Sequence, residues 1–295
     1  MFRQTRDFLE LIKLEHTLFV LPFAYLSMVL AADGWPTPAQ VAWITLAMVA
    51  ARTVAMGTNR LADRRIDAQN PRTAARPLAS GRMAPRTALI GTAVAAALLI
   101  VAAHQLGPLP LRLLPIALVF LVGYAFTKRI TWLSHFILGF TDGLAPVGAW
   151  VAVRGSLFAP ADLAAWILLG AITCWIGGSD LIYACQDAEF DRRLGLHAIP
   201  ARFGVRAALR LSQLSHGVAL GLLVSLAIIQ GLGWPYTVGL LLVAALLIIE
   251  HRLVSADDLS RLDLAFFQLN VVISFALFVS VLIAVHLPKL STTPR

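Results

Sequence analysis

Two clusters of acidic residues interrupt a chain that is otherwise rich in apolar residues. In the first, Asn59, Asp63 and Asp67 follow one another at intervals of four, and in the second Asp187 and Asp191 repeat that interval. On an α-helix, side chains four residues apart lie on one face, about 6 Å from each other. Two such carboxylate ladders facing each other can hold hard divalent cations, and those cations can bind a diphosphate. The spacing therefore predicts an enzyme whose substrates are dissolved in a membrane.

Further polar residues extend both ladders toward the apolar part of the chain. Asp180 and Tyr183 lie one to two helical turns before Asp187. Arg52 shares the helical stripe of Asp63, and an arginine inside an apolar span is costly unless it has a partner. We therefore expect Arg52 to reach the cavity that the acidic residues line.

Basic residues with the chemistry of phosphate ligands accompany the acids. Arg72 and Arg76 lie in a loop that contains proline and glycine, and a guanidinium can hold phosphate oxygens with two parallel hydrogen bonds. Lys128 can neutralise a leaving diphosphate, and its neighbour Arg129 can bind a second anion such as a substrate carboxylate. For Arg129, an ordinary basic anchor at the membrane surface is an equally open interpretation.

The remainder of the chain predicts the helices that must position these groups. Of 295 residues, 59% are hydrophobic and 14% are charged, against about 25% charged residues in a soluble domain. The apolar residues form runs of roughly 17–24 residues, which is the length that crosses a bilayer. The predicted spans are 16–32, 39–58, 86–105, 109–127, 132–153, 161–180, 207–230, 234–250 and 264–287. We predict an all-α membrane protein in which nine transmembrane helices surround a central cavity.

The polar segments between the spans predict the domain organisation and the orientation. One domain over 1–295 carries two long polar loops, 59–85 and 181–206, which follow the second and the sixth span and contain the acidic clusters. Most of the 24 lysines and arginines fall on the side of these loops when the N-terminus is placed inside. We therefore expect an inner-membrane protein with a cytoplasmic N-terminus and a site facing the cytoplasm. The net charge of +8 then reports topology, which argues against a nucleic-acid partner.

Together these marks resemble those of the intramembrane aromatic prenyltransferases, the UbiA superfamily. In order, the chain carries Asn59-x3-Asp63-x3-Asp67, Arg72-Thr with Arg76-Pro-Leu and Ser80-Gly81, Tyr124-x3-Lys128, and Asp180-x2-Tyr183-x3-Asp187-x3-Asp191. The resemblance implies a bundle of nine helices and the transfer of a polyprenyl group from an allylic polyprenyl diphosphate to an aromatic ring. It also implies Mg²⁺ as the cofactor and no obligate protein partner.

The resemblance assigns roles by position. Four residues are expected to be catalytic and to bind the metal: Asp63, Asp67, Asp187 and Asp191. Seven are expected to bind the diphosphate: Asn59, Arg72, Arg76, Tyr124, Lys128, Asp180 and Tyr183. Arg129 and Arg52 are the candidates for binding an aromatic acid. Asp191 and Asp67 are candidates to assist in proton removal, but the sequence does not identify the proton-accepting base.

The aromatic acceptor has two candidates within this family. A 4-hydroxybenzoate acceptor belongs to ubiquinone biosynthesis, and a 1,4-dihydroxy-6-naphthoate acceptor belongs to menaquinone biosynthesis. The Glu15-His16 pair at the start of the first span and Arg129 suit a small aromatic carboxylic acid in both cases. A transporter driven by cations or protons is the alternative from another class, but its acids are expected near the middle of the membrane on broken helices.

Several other polar residues carry no assigned role. Asp142 falls near the middle of the fifth span, where a hydrogen bond to an aromatic hydroxyl and a structural role are both open. The histidines, including His135 and His216, show no metal-ligand spacing. Cys174 and Cys185 are expected to be packing residues without a disulfide.

Overall fold

The computed structural model describes residues 2–13 and 17–287, and within these ranges it is built from helices and their connections, without strands. The α-helices in chain order are α1 Phe2–Ile12, α2 Thr17–Ala32, α3 Pro38–Asp67, α4 Pro85–Leu106, α5 Pro108–Thr127, α6 Ser134–Arg154, α7 Leu163–Ala184, α8 Ala188–Arg193, α9 Ile199–Phe203, α10 Val205–Gln230, α11 Trp234–Leu253 and α12 Asn270–His286. Short 3₁₀ turns cover Pro160–Asp162 and Cys185–Asp187, and a π-helix over Leu264–Leu269 leads into α12. The predicted all-α fold is confirmed.

Eight of these helical segments, within the described residues, are long and apolar enough to cross a membrane. Helix α2 provides only a shorter apolar stretch, Val20–Ala32. The predicted nine spans therefore correspond to eight long helices and one shorter one, and residue 16, where the first span was predicted to start, lies outside the described residues together with Glu15. Large apolar side chains are exposed along α4, α5, α10 and α11. Such a surface suits contact with lipid, because exposing so wide an apolar band to water is energetically unfavourable.

Helix packing closes the bundle around α7. Helix α7 packs against α6 and α10. Helix α2 packs against α6 and α12, and helix α11 contacts α10 and α12. Helices α3, α4 and α5 pack together on the other side of α6. Trp150 and Trp175 are fully enclosed in the main apolar core, which joins these helices. Because α7 is the most enclosed span, its polar residues face protein rather than lipid.

Helix α3 is longer than its predicted span. It begins with a capping box, in which the Thr37 hydroxyl accepts from the backbone N–H of Gln40 and the Gln40 side chain accepts from the backbone N–H of Thr37. It was predicted to leave the membrane at residue 58 but continues to Asp67, where the Thr73 hydroxyl donates to the Asp67 carbonyl oxygen at 2.9 Å. The first part of the predicted loop 59–85 is therefore helical, and it carries the first acidic cluster on one rigid element.

The second acidic cluster does not lie on one continuous helix, and this part of the predicted geometry is wrong. Helix α7 ends at Ala184, the 3₁₀ turn Cys185–Asp187 follows, and Asp191 lies on α8. The Cys185 thiol and the Gln186 amide bond the carbonyl oxygens of Leu181 and Tyr183, which satisfies acceptors that the ended helix leaves free. The predicted sixth span 161–180 and loop 181–206 thus meet in a helical segment that a 3₁₀ turn interrupts.

Helices α6 and α7 approach each other closely at Gly139. A methyl group built on Gly139 would lie 2.3 Å from the carbonyl oxygen of Thr173 and 2.9 Å from the backbone nitrogen of Gly177. We expect Gly139→Ala to lower the free energy of unfolding by about 1–3 kcal/mol, because backbone atoms cannot move aside locally. Thermal unfolding in detergent measures this effect. Gly148→Ala, on the same helix with no atom within 4 Å of the added group, is the matched control, and an equal loss in both variants would contradict the expectation.

Candidate active site

The two acidic clusters line one cavity of about 240 Å³ at the end of the bundle where α3 and α7 finish. All of the residues that the sequence predicted for the site belong to its wall: Arg52, Asn59, Asp63, Asp67, Arg72, Arg76, Tyr124, Lys128, Arg129, Asp180, Tyr183, Asp187 and Asp191. Asp142, for which the sequence left the role open, lines it as well. The fold therefore gathers groups from α3, α5, α6, α7, α8 and the loop after α3 around one space.

In the first cluster, the carboxylates point at basic residues. Asp67 accepts a hydrogen bond from Arg76 at 2.8 Å and lies 3.8 Å from Arg60. Asp63 accepts from Arg129 at 2.5 Å and from the Asn59 amide at 3.2 Å. Each of these carboxylates is partly enclosed, so a nearby cation offsets the cost of removing its charge from water.

In the second cluster, Asp187 joins the two halves of the site. Its carboxylate accepts hydrogen bonds from both nitrogens of one edge of Arg72 and from the Asn70 amide at 2.9 Å. Arg72 also donates to the Tyr183 hydroxyl at 2.7 Å and lies over the ring of that tyrosine. Burial by itself lowers the pKa of the Arg72 guanidinium, but the bonds to Asp187 and Tyr183 raise it above its ordinary value, so the arginine stays charged.

Lys128 and Arg129, which directly follow α5, bind different carboxylates. The Lys128 ammonium lies 2.6 Å from Asp191, which is almost fully buried. Arg129 reaches Asp63 and also donates to the carbonyl oxygens of Ala62 at 3.1 Å and Ala125 at 2.9 Å. The donors of Arg129 are therefore largely committed to protein acceptors.

Arg52 and Tyr124 lie deeper in the bundle. The buried Nε of Arg52 has no hydrogen-bond partner among the described residues, and Arg52 and Asp142 are both close enough to interact electrostatically. The Tyr124 hydroxyl donates to the Ala55 carbonyl oxygen at 3.2 Å. In this structure Tyr124 therefore supports α3, whereas Arg52 lines the cavity with its buried Nε unpaired.

The chemistry of these carboxylates fits magnesium that arrives with a diphosphate. Among the described residues, no three histidine, cysteine, aspartate or glutamate side chains stand close enough to hold a metal by themselves. Mg²⁺ does not require such a cage, since it is usually bound by one or two carboxylates together with phosphate oxygens and water. Asp63 and Asp67 on one wall and Asp187 and Asp191 on the other supply hard oxygen donors of that kind.

The structure adds a pair that sequence reasoning missed. His135, at the start of α6, lies against Asp180 of α7, with Nδ1 of the imidazole 2.6 Å from Oδ2 of the carboxylate. Both residues line the cavity. A single histidine that is distant in sequence from its carboxylate leaves no spacing signal, so only the packing of α6 on α7 reveals the pair.

A second cavity of about 360 Å³ adjoins the polar one and shares Arg52 and Asp142 with it. Its wall is mostly apolar and comes from α2 to α7. Phe158 and Trp166 belong to its wall near the connection of α6 and α7, away from the acidic clusters. A charged site for a head group thus lies beside an apolar space of the kind that suits a hydrocarbon chain.

Comparison with known proteins agrees with this architecture. The profile of the UbiA prenyltransferase family matches residues 20–281. The chain is 32% identical over 257 residues to a 4-hydroxybenzoate octaprenyltransferase of Pectobacterium atrosepticum, covering 86% of each protein. It is 33% identical over 240 residues to the protein of that name from Neisseria gonorrhoeae, covering 80% of this chain and 77% of the relative.

Solved structures show the same fold. The apo structure of a UbiA homolog from Aeropyrum pernix K1 superposes with a TM-score of 0.83 at 33% identity, covering 91% of this chain and 98% of the homolog. A UbiA homolog from Archaeoglobus fulgidus bound to GPP and Mg²⁺ has a TM-score of 0.72 at 17% identity, covering 95% and 99%. The matched profile and the identities to curated relatives place this chain in the UbiA prenyltransferase family.

Proposed function

We propose that this membrane prenyltransferase joins a polyprenyl group from an allylic polyprenyl diphosphate to a small aromatic acid of the 4-hydroxybenzoate type, with Mg²⁺ as its cofactor. The observation that carries the proposal is the pairing of a cavity lined by carboxylates and guanidinium groups with an adjoining apolar cavity. The names of the curated relatives support 4-hydroxybenzoate over 1,4-dihydroxy-6-naphthoate as the acceptor, and they support an enzyme over a transporter.

The four ladder carboxylates are proposed to hold the metal. Asp63 and Asp67 on α3, with Asp187 and Asp191 across the cavity, supply the oxygen ligands, and the diphosphate completes the coordination. Bound Mg²⁺ would stabilise the negative charge that develops on the departing diphosphate. Metal binding and diphosphate binding are then coupled, since neither partner fills the site alone.

Basic residues of the site are proposed to move from carboxylates to phosphate oxygens when substrate binds. Arg72, Arg76 and Lys128 now neutralise Asp187, Asp67 and Asp191. Once metal occupies those carboxylates, the same side chains are available to the diphosphate, where they stabilise the leaving group as the allylic C–O bond breaks. The Asn59 and Tyr183 side chains complete the polar wall on either side.

Acceptor and prenyl chain are proposed to occupy the deeper part of the site. Arg52 is the better candidate for the acceptor carboxylate, because it lines both cavities, whereas the donors of Arg129 bind Asp63 and two carbonyl oxygens. The prenyl chain fits the adjoining apolar cavity. Enclosure of the reacting carbon between these spaces excludes water, which would otherwise capture the allylic cation.

A direct assay tests the proposal. Purified protein in detergent or liposomes would be given geranyl or longer polyprenyl diphosphates together with 4-hydroxybenzoate or 1,4-dihydroxy-6-naphthoate. We expect a ring-alkylated product from 4-hydroxybenzoate and one pyrophosphate released per product. Alkylation of the naphthoate alone would refute the proposed acceptor, and no alkylation of either ring would refute the proposed reaction.

Arg72 supports a prediction about diphosphate binding. We expect Arg72→Ala to raise the KM for polyprenyl diphosphate about 10–100-fold, since a bidentate charge-assisted contact is lost. Steady-state kinetics with the diphosphate varied measure this change. Arg86→Ala is the control, because Arg86 is exposed and lies outside the cavity wall. An unchanged KM in Arg72→Ala would remove this residue from the diphosphate site.

The proposed orientation places the N-terminus and the polar cavity on the cytoplasmic side of an inner membrane. If α2 crosses the membrane together with the eight longer spans, the two ends of the chain lie on opposite sides. A reporter fused after Arg295 is then expected to read as periplasmic. A cytoplasmic signal would mean an even number of crossings, with α2 re-entering or lying in the interface.

A further inference from the structure

Asp180 differs from the four ladder carboxylates in its partner. Each ladder carboxylate is neutralised by an arginine or a lysine, whereas the Oδ2 atom of Asp180 is held by the imidazole of His135. The other oxygen, Oδ1, has no hydrogen-bond partner among the described residues, although the side chain is about a quarter exposed to the cavity. A carboxylate without a cation beside it remains able to accept a proton.

The hydrogen bonds of His135 determine its tautomer. The backbone N–H of Ile199 donates to Nε2 at 3.3 Å, so this nitrogen carries a lone pair. The proton of a neutral imidazole then resides on Nδ1 and is donated to Asp180. Because His135 is 2% exposed and fixed at both nitrogens, it holds the carboxylate in one orientation without neutralising it.

Asp180 also lies at the proposed acceptor end of the cavity. It precedes Asp187 by nearly two helical turns, further into the bundle. Asp142 of α6 interacts electrostatically both with Asp180 and with Arg52 of α3. A para-hydroxy acid bound through its carboxylate has its hydroxyl at the far end of the ring, where it needs a separate partner.

We propose that Asp180 is the general base of the transfer and that His135 is its positioning residue; the proposal rests on the function proposed above. The allylic C–O bond breaks and its electron pair leaves with the diphosphate. The ring carbon beside the phenol forms the new C–C bond while the phenolic proton passes to Oδ1 of Asp180. The ring C–H proton then leaves with pyrophosphate, which restores the aromatic ring, and Asp180 returns its proton to the phenolate oxygen.

Asp180→Asn is the first test, because it keeps the shape and removes the proton acceptor. We expect kcat for prenyl transfer to fall about 10²–10⁴-fold, with the KM for polyprenyl diphosphate within about threefold of the wild-type value. An acceptor that carries fluorine beside the hydroxyl is a more acidic phenol. Its deprotonation therefore depends less on a protein base. The ratio of variant to wild-type rates should therefore rise with 3-fluoro-4-hydroxybenzoate.

Two substitutions of His135 separate positioning from packing. In His135→Asn the amide nitrogen takes the place of Nδ1 and can still donate to Asp180. In His135→Gln the amide takes the place of Nε2. Its oxygen can accept from the backbone N–H of Ile199, but the side chain can no longer donate to Asp180. We expect His135→Gln to lose at least about tenfold in kcat and His135→Asn to retain more of it, and in an Asp180→Asn background His135→Gln should cost little more.

Each outcome separates this proposal from the proposed function. Wild-type kcat in Asp180→Asn, or a raised KM for the diphosphate at unchanged kcat, overturns the base assignment while prenyl transfer by the wild type stands. Equal losses in both His135 variants overturn the positioning role. A wild-type protein that alkylates no phenolic acid under any condition overturns the proposed function and the base with it.

Discussion

Replacing Asp187 with asparagine is expected to lower the rate of prenyl transfer by at least about 10²–10³-fold, the cost of removing one group that stabilises charge in a transition state. The structure explains why a single carboxylate has so large an effect. Asp187 joins the loop after α3 to the end of α7 through Arg72 and Asn70, and it is a proposed ligand of the metal. Asparagine preserves the size of the side chain but removes its charge, so both contributions weaken together. Asp63→Asn is expected to behave alike from the opposite wall.

A matched control exists two residues away. Glu189 lies on α8 beside the same cluster, but its side chain is about three-quarters exposed and, within the part of the chain that the structure describes, pairs only with Arg193. Surface pairs of this type contribute under about 1 kcal/mol to stability, so Glu189→Gln should retain wild-type activity. Turnover measured on all three variants, after equal recovery from the membrane fraction, gives the comparison. Full activity in both Asp63→Asn and Asp187→Asn would remove the basis of the metal-dependent mechanism.

Removal of divalent cations is expected to abolish turnover, and added Mg²⁺ should restore it. The protein itself should remain folded during this treatment, because each ladder carboxylate has a basic partner in the absence of metal: Asp63 with Arg129, Asp67 with Arg76, Asp187 with Arg72 and Asp191 with Lys128. Four unpaired carboxylates packed in one cavity would repel each other, and the arginines and lysine prevent this. We therefore expect chelator to change the unfolding temperature by only a few degrees.

Activity and thermal unfolding measured on the same chelated sample distinguish the two effects. Loss of activity together with unfolding would mean that the metal holds the fold, contrary to the ion pairs seen here. Turnover that persists in chelator would contradict metal dependence itself. Ca²⁺ is a useful comparison, since it takes more ligands at longer distances and should restore less activity than Mg²⁺.

Helical periodicity was enough to predict the first acidic cluster. Asn59, Asp63 and Asp67 lie on α3 and line one cavity, as intervals of four require. The same periodicity predicted that Arg52 reaches this cavity, and Arg52 belongs to its wall. For the second cluster the prediction of a continuous helix was wrong, because α7 ends at Ala184 and a 3₁₀ turn follows. Side-chain bonds to the last carbonyl oxygens of α7 favour that ending, and the residue pattern alone does not reveal them.

Charge and apolar run length determined the class of protein and the side on which the site was expected. They did not reveal which spans the other helices enclose. The reason is that hydropathy records which residues avoid water. It does not distinguish lipid contact from burial between helices: the span that contains α7 is the most enclosed of the eight, and its mean hydropathy is still 1.5.

The amino-acid sequence by itself determined the helical ladder of the first acidic cluster, the carboxylate and guanidinium chemistry of the site, and the placement of these groups at one end of the bundle. These features depend on local spacing and composition. Only the tertiary structure decided the partners: Arg72 with Asp187, Lys128 with Asp191, and His135 with Asp180. These pairs join different structural elements, so their distances depend on how the helices pack. Helix packing is governed by complementary shape over many residues, and no interval along the chain encodes it.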